Sequence, residues 1–356
     1  NPKENDSKTN TWKFYAPNVH DFAWAADPDY VHDIKKSESG VDLHFFYKPT
    51  VNVEDWKKLQ KDSILLMKYF EETIGPYPWK QYSIIQGGDG GMEYAMCTMI
   101  TGERPYPSLL GVTAHEMAHA WFQHLLATNE AKHAWMDEGF TEYVTSLSEN
   151  YVNNEKPEFP HKSSYDRYYL LAKSGFEQAQ TIHSDRYDYN FAYGASAYSK
   201  GSVFLSQLGY IIGKENLNKT LRRYYDEFKF KHPTPNDFKR IAEKVSDLEL
   251  EWYLNEWTRT AHKIDYGIDI SSLEDERVIT LKRKARIPMP IEVVVSFEDG
   301  SSDMYYIPND LLHGYKTFKN EVYLMEPWNW ASTEYEFEVQ GNKKVSKVEI
   351  DPSKRI

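Results

Sequence analysis

The chain has 356 residues, enough for two domains of ordinary size, and a formal net charge of −12. This acidic balance argues against a partner held through nucleic-acid phosphates, and no apolar stretch reaches the roughly 20 residues that a transmembrane helix needs. We therefore expect a soluble chain, cytoplasmic or exported. Its single cysteine, Cys97, excludes an internal disulfide and leaves the compartment undetermined. The chain begins at Asn1 without Met or an export leader, so we expect a processed product or a fragment.

The first predicted elements are a strand and a long helix. Residues 1–10 are polar and predicted to be loose, whereas residues 41–48 alternate apolar and polar side chains as a strand does. From Asn52, a candidate N-cap, the apolar residues recur at helical spacing as far as Ile74. The Gly-Pro pair that follows ends this predicted helix.

A glycine-rich segment, residues 87–93, separates two predicted strands at 81–86 and 94–100. Such segments often bind phosphate, but a Walker loop needs Lys and then Ser or Thr after its last glycine, and a dinucleotide loop needs a helix there. Met, Glu93 and a predicted strand follow instead. Taken alone, Glu93 is either a functional carboxylate or a solvated side chain in a glycine-rich turn.

Two helices are predicted at 113–126 and 135–151, and further helices continue to about residue 260. Beyond residue 264 the apolar residues recur with a period of two, and Asp299-Gly300 supplies a hairpin turn. The change of period indicates a second, all-β domain.

These patterns together predict an α+β fold in three parts. They are a lead-in over residues 1–50, a domain of helices and a small sheet over 51–263, and a small β-sandwich domain over 264–356.

The strongest chemical signal is His-Glu-Met-Ala-His at residues 115–119. Positions i and i+4 share one face of a helix, so His115 and His119 can present two imidazole nitrogens to one metal. Glu116 lies beside them, where it can take a proton from a metal-bound water. With 12 histidines in the chain, the pattern is expected by chance about 0.03 times. His124 and His133 lie off this face, and we expect them to be ordinary packed or surface histidines.

A third ligand candidate, Glu138, follows His119 after eighteen intervening residues. Two histidines and one glutamate leave a fourth coordination position for water, which is typical of catalytic zinc sites and not of structural ones. A metzincin site would instead need glycine at position 122 and histidine at position 125, where this chain has Phe122 and Leu125.

The segments HEMAH and WMDEGFTEY, with their spacing, resemble the gluzincin aminopeptidase family of alanyl aminopeptidase (aminopeptidase N) and leukotriene hydrolase. The resemblance implies a thermolysin-like catalytic domain that holds one zinc ion through His115, His119 and Glu138. It also implies that a zinc-activated water hydrolyses the N-terminal peptide bond of peptides with a free amino terminus, with Glu116 as the base. A zinc endopeptidase of the same fold, or a catalytically weak peptide-binding fragment, is the alternative.

Two tyrosines match the same family. Its Tyr-x-Lys-Gly segment opens a helix after the zinc site, and here Tyr198, Lys200 and Gly201 match it. The resemblance implies that Tyr198 donates a hydrogen bond to the oxyanion of the tetrahedral intermediate. Tyr193 matches a family tyrosine that lines the site.

The glycine-rich segment also has a counterpart, the family motif Gly-x-Met-Glu-Asn. Here the motif reads Gly90-Gly91-Met92-Glu93-Tyr94. The resemblance implies that Glu93 binds the cationic amino terminus, because a fixed carboxylate can accept a charge-assisted hydrogen bond from it. Gly90 and Gly91 would then contact the substrate backbone, and Met92 would form a wall of the first side-chain pocket. Tyr94 replaces the family asparagine.

Two further expectations concern the surroundings of the site. Asp137 and Glu142 are candidate partners for the metal-binding histidines. The N-terminal β domain of the family is almost entirely missing, and residues 11–33 match only its end.

Overall fold

The computed structural model of the chain, which describes residues 11–88, 90–270 and 278–356, begins with a five-stranded mixed sheet, and one helix lies between its second and third strands. The predicted loose segment 1–10 lies outside these residues. The sheet has the strand order β1-β2-β3-β5-β4. Its strands are β1 (Val31–Lys36), β2 (Asp42–Tyr47), β3 (Gln81–Gly87), β4 (Gly91–Tyr94) and β5 (Cys97–Thr101).

Strand pairing shows how the lead-in and the glycine-rich segment join one sheet. β2 pairs in parallel with β3, so the predicted lead-in contributes β1 and β2 to the same sheet as the residues after it. The predicted strand at 94–100 begins only at Cys97, because Ala95 and Met96 form the turn between β4 and β5, with Met96 at φ 59°. Apolar periodicity alone does not predict β4, since glycines hide the apolar–polar alternation, whereas the resemblance to the family implies a strand edge there.

The first helix, α1 (Val53–Thr73), confirms the predicted helix and its cap. The side chain of Asn52 accepts a hydrogen bond from the backbone N–H of Asp55 at 3.4 Å. The buried face of α1 carries Trp56, Leu66 and Phe70, which pack into the main apolar core.

The next two helices begin earlier than the sequence predicted. α2 (Tyr106–His119) starts after Pro105 and then widens into a π-helical turn, Ala120–Leu125. α3 (Glu130–Val152) starts after its N-cap Asn129, but His133 is non-helical at φ −135°. This kink and a polar first turn account for the late start predicted for α3.

Six more helices follow. They are α4 (Lys162–Ser174), α5 (Asn190–Gly194), α6 (Gly201–Ile212), α7 (Lys214–Phe228), α8 (Pro235–Ser246) and α9 (Glu251–Thr258). A second π-helical turn, Ala195–Lys200, leads directly into α6. Among the described residues, no helix has both the length and the apolar run needed to cross a lipid bilayer.

α3 and α6 touch through their backbones. A Cβ atom on Gly201 would lie 2.7 Å from the Cα of Gly139, and a Cβ on Gly139 would overlap Gly201 in turn. Only glycine on both helices permits this approach. The contact places the π-helical turn before α6 beside the middle of α3.

The last part of the chain forms two small sheets with the strand orders β10-β9-β8-β12 and β11-β7-β6. Their strands are β6 (Tyr266–Ile270), β7 (Val278–Arg283), β8 (Ile291–Phe297), β9 (Ser302–Ile307), β10 (Tyr323–Leu324), β11 (Glu334–Glu338) and β12 (Val345–Ile350). The predicted hairpin joins β8 to β9, with Gly300 at φ 82°. The rings of Tyr305 and Phe337, one from each sheet, lie 5.1 Å apart, so the two sheets are in contact there, and the β-sandwich domain stays a prediction.

Acid should destabilise this fold through His161. Its ring is 2% exposed and stacks on Tyr143. Burial and the nearby Arg355 and Lys214 lower the pKa of His161 to about 3. Because the unfolded chain binds this proton near pH 6.5 and the folded chain does not, stability should fall as the pH drops from 6.5 towards 3.

Urea unfolding at pH 7.5 and pH 5.0 measures this effect. Between these values the wild type should lose about 2 kcal/mol more unfolding free energy than a His161→Phe variant, at about 1.4 kcal/mol per pH unit below 6.5. Equal losses in both chains would contradict a neutral buried His161.

Candidate metal centre

The two histidines of the predicted motif point their rings to one spot beside α2. Because they are one helical turn apart, the Nε2 atoms of His115 and His119 lie 3.2 Å from each other. His119 is 1% exposed, and Glu116 between them is 6% exposed. The packing of α2 against α3 and the sheet thus encloses this face of the helix.

Glu138 on α3 completes a triangle of donor atoms. Its Oε2 lies 3.2 Å from Nε2 of His115 and 3.2 Å from Nε2 of His119. Tetrahedral ligands at about 2.0–2.1 Å from zinc stand about 3.3 Å apart. The three atoms therefore have the separations that a divalent ion at their centre requires.

A second ring of side chains orients the histidines. Nδ1 of His119 lies 2.7 Å from Oδ1 of Asp137, and Nδ1 of His115 lies 3.5 Å from Oε2 of Glu142. A proton on each Nδ1, shared with a carboxylate, leaves each Nε2 free as a ligand. The hydroxyl oxygen of Thr141 also lies 3.4 Å from Nδ1 of His119. The sequence suggested the two carboxylates but not Thr141, although it lies three residues after Glu138 and so shares its helix face.

The charges at this centre favour a cation. Burial would lower the pKa of His115, but Glu138 and Glu142 raise it to about 9. Burial would raise the pKa of Glu138, but His119 and His115 hold it well below the usual range. The carboxylates therefore keep the imidazoles charged when only protons are present, and a divalent ion can replace those protons.

Tyr198 reaches the same centre from the π-helical turn before α6. Its hydroxyl donates a hydrogen bond to Oε1 of Glu138 at 2.7 Å, and its ring stacks on His115 at 5.6 Å. Burial and the charge of Glu138 raise the pKa of Tyr198 far above its usual value, so the phenol stays a hydrogen-bond donor. Tyr193 lines the same space, and burial raises its pKa to about 12.

Glu93 approaches from the sheet. It lies on β4, an edge strand whose only pairing partner among the described residues is β5. One of its carboxylate oxygens lies within 4.8 Å of oxygens of Asp137 and Glu138. Burial raises the pKa of Glu93 to about 7, although the charge of His119 opposes the shift.

These side chains surround a cleft of about 330 Å³. The predicted site residues that line it are Gly91, Met92, Glu93, His115, Glu116, His119, Glu138, Tyr193 and Tyr198. Gly90 is not among the lining residues, and its carbonyl accepts a hydrogen bond from the backbone N–H of Thr101 at 2.8 Å. The cleft is also lined by residues that sequence patterns do not single out, namely Glu130, Ala131, Ala134 and Ser184.

A larger cavity, of about 580 Å³, lies between α4 and the C-terminal strands. None of the described residues that line it is a histidine or a cysteine. The set of donor atoms, and not size, therefore selects the smaller cleft as the candidate site.

Comparison with known proteins gives the family. The family model "Peptidase family M1 domain" matches residues 58–257, more than half of the chain. The chain belongs to peptidase family M1. The matched residues include all of α2 and α3, so the donor triangle lies inside this M1 domain.

Curated relatives of the M1 domain are similar at modest identity. Leucine aminopeptidase 2 of Chaetomium globosum is 24% identical, over 56% of this chain and 37% of its own length. The leukotriene A-4 hydrolase homolog of Botryotinia fuckeliana is 25% identical, over 51% and 30%. Aminopeptidase B of Mus musculus is 27% identical, over 47% and 28%. The chain thus spans about a third of the length of these relatives.

A solved structure supports the fold of the M1 domain. The M1 zinc metallopeptidase from Deinococcus radiodurans superposes with a TM-score of 0.53 at 18% identity. The match covers 65% of this chain and 51% of that one.

Gly91 should be less replaceable than Gly88. A Cβ atom on Gly91 would overlap Oε1 of Glu116 and lie 2.7 Å from Val112, whereas one on Gly88 would meet nothing within 4 Å. Gly91→Ala should therefore displace Glu116 and lower kcat on an aminoacyl reporter at least tenfold, since a shift of about 1 Å can cost a hundredfold. Gly88→Ala should keep near-normal kcat. If both variants lost kcat equally, the contact of Gly91 with Glu116 would not be the reason for the loss.

Proposed function

We propose that this chain is a zinc-dependent aminopeptidase, which hydrolyses the N-terminal peptide bond of peptides with a free amino terminus. The observation that carries the proposal is the position of Glu93. Its carboxylate shares one cleft with the donor triangle and has an oxygen within 4.8 Å of an oxygen of Glu138. A carboxylate there can fix an amino terminus about one residue away from the bond to be cleaved.

His115, His119 and Glu138 would hold one zinc ion, since their donor atoms stand 3.2 Å apart. Zinc, when bound, polarises the scissile carbonyl and lowers the pKa of the attacking water. Asp137 and Glu142 keep the two imidazoles in the orientation that directs both Nε2 atoms inwards.

Glu116 is the proposed general base. It lies between the two histidines on the cleft side of α2, so it takes the proton of the attacking water and passes it to the leaving amine. Burial raises the pKa of Glu116 to about 7, and the charges of His115 and His119 oppose this rise. A pKa near neutrality suits a group that must both accept and release a proton.

Tyr198 is the proposed oxyanion donor. Its protonated hydroxyl lies 2.7 Å from Oε1 of Glu138, at the edge of the donor triangle. From this position it can turn its hydrogen bond to the oxygen on which negative charge develops. Tyr193 lines the cleft beside it.

The edge strand β4 is the proposed surface for the substrate backbone. Its free side can pair with an extended peptide, and the absence of a side chain on Gly91 lets that peptide come close to Glu116. Met92 is 43% exposed and can form a wall of the first side-chain pocket. Glu93 then accepts a charge-assisted hydrogen bond from the terminal ammonium.

Replacing the base should stop turnover without removing the metal. Glu116→Gln keeps the shape of the side chain but cannot take a proton, so kcat on an aminoacyl reporter should fall at least a hundredfold while zinc content stays at the wild-type level. The matched control is Glu103→Gln, because Glu103 is an exposed glutamate that is not among the residues lining the cleft. Near-normal turnover by the Glu116 variant would remove this residue from the mechanism.

Removing the anchor should act on free-amine substrates alone. Glu93→Gln should raise KM for a peptide with a free amino terminus at least tenfold, because the amide oxygen of glutamine can accept the hydrogen bond but carries no negative charge to strengthen it. The N-acetylated form of the same peptide should be a poor substrate for both chains. If the wild type cleaves the two forms equally well, the chain is an endopeptidase and Glu93 has another role.

A further inference from the structure

A second group of histidines includes one residue of the π-helical turn that follows α2. His124, in this turn, is 3% exposed, and neither of its ring nitrogens makes a well-aligned hydrogen bond, although the backbone of Glu93 lies close to the ring. A buried polar group without a partner costs free energy.

The residues before β1 supply two more donors. The rings of His20 and His124 are stacked, with centroids 5.1 Å apart and planes 12° from parallel. The carboxylate of Asp21 lies beside them, and one donor atom from each of the three residues lies within 4.8 Å of the others. Nε2 of His20 lies 3.2 Å from the carbonyl oxygen of Gln123, which leaves Nδ1 as its free nitrogen.

We propose that His20, Asp21 and His124 form a second metal site, for a divalent ion such as Zn²⁺, Ni²⁺ or Cu²⁺. Two imidazoles and one carboxylate match the ligand preferences of these ions, and the exposure of His20 and Asp21 leaves room for a water ligand. The hydrogen bond from His20 to Gln123 is the outer contact that orients a ligating imidazole.

To close this site, the ring of His20 must turn out of its stack on His124, because the lone pair of an imidazole nitrogen lies in the plane of the ring. The donor atoms, which lie within 4.8 Å of one another, must also approach to about 3.3 Å. His20 and Asp21 are exposed and belong to a segment without helix or strand, so they can move while the buried His124 stays fixed. The site shares no residue with the first centre, so it does not depend on peptidase activity.

A bound ion would join three parts of the chain. It would tie residues 20–21 to the π-helical turn after His119. Asp21 also accepts a hydrogen bond from the backbone N–H of Ala95 at 3.2 Å, in the turn after Glu93. The second ion would therefore brace the strand that carries the proposed amine anchor.

Metal content of the full chain tests the proposal. After equilibrium dialysis against micromolar Zn²⁺, elemental analysis should find two zinc ions per wild-type chain. His20→Ala and Asp21→Asn should each retain one ion, and His115→Ala should also retain one. His20→Ala together with His115→Ala should retain none. One ion in the wild type, or two in His20→Ala, would overturn the proposal.

An exposed histidine pair provides the control. Nε2 of His32 on β1 lies 2.9 Å from Nδ1 of His44 on β2, so this pair offers an alternative place for a second ion. His32→Ala should keep two zinc ions, and loss of one would assign the second ion to this pair instead. In the His115→Ala background, Zn²⁺ should still raise the melting temperature, and adding His20→Ala should abolish that rise if the ion is bound within the fold.

Discussion

The candidate centre depends on one backbone contact, the crossing of α3 and α6 at Gly139 and Gly201. Glu138 precedes one glycine, and Tyr198 lies just before the other. Because the two helices touch without side chains between them, the Tyr198 hydroxyl reaches Glu138 at 2.7 Å. A methyl group on either glycine would push the two helices apart. Glu138, a ligand candidate, and Tyr198, the proposed oxyanion donor, would then move away from each other.

Burying the charged side chains around this crossing costs free energy, because they lose their contact with water. Pairing with a side chain of opposite charge offsets part of that cost. Asp137 and His119 are each 1% exposed, and each satisfies the other at 2.7 Å. Glu116 and Glu93 have weaker compensation, and burial raises the pKa of both to about 7. The side chains proposed for proton transfer and for amine binding thus carry charges that the fold stabilises poorly, as expected where function and stability compete.

The sequence predicted those features that depend on local geometry. Helix periodicity predicts that His115 and His119 share one helix face and that Glu138 lies on a helix. Asn52 is predicted as an N-cap because its side chain can accept a hydrogen bond from the first turn of the helix. Strand β4 follows from the family resemblance and not from apolar periodicity, because glycine carries no periodic signal. His124 was expected to be an ordinary packed histidine, since its neighbour His20 is distant in sequence and only tertiary structure brings the rings together. The domain limits and the roles of the site residues remain predictions.

The two π-helical turns make the site sensitive to the length of the chain. A π-turn accommodates an additional residue within a helix, and residues 120–125 and 195–200 form such turns on either side of the donor triangle. Each residue of an α-helix turns the chain by about 100°. Loss of one residue from the second turn would rotate Tyr198 away from Glu138 without altering the type of any side chain in the cleft. Insertions and deletions, more than substitutions, are therefore the changes that these two segments can least accept.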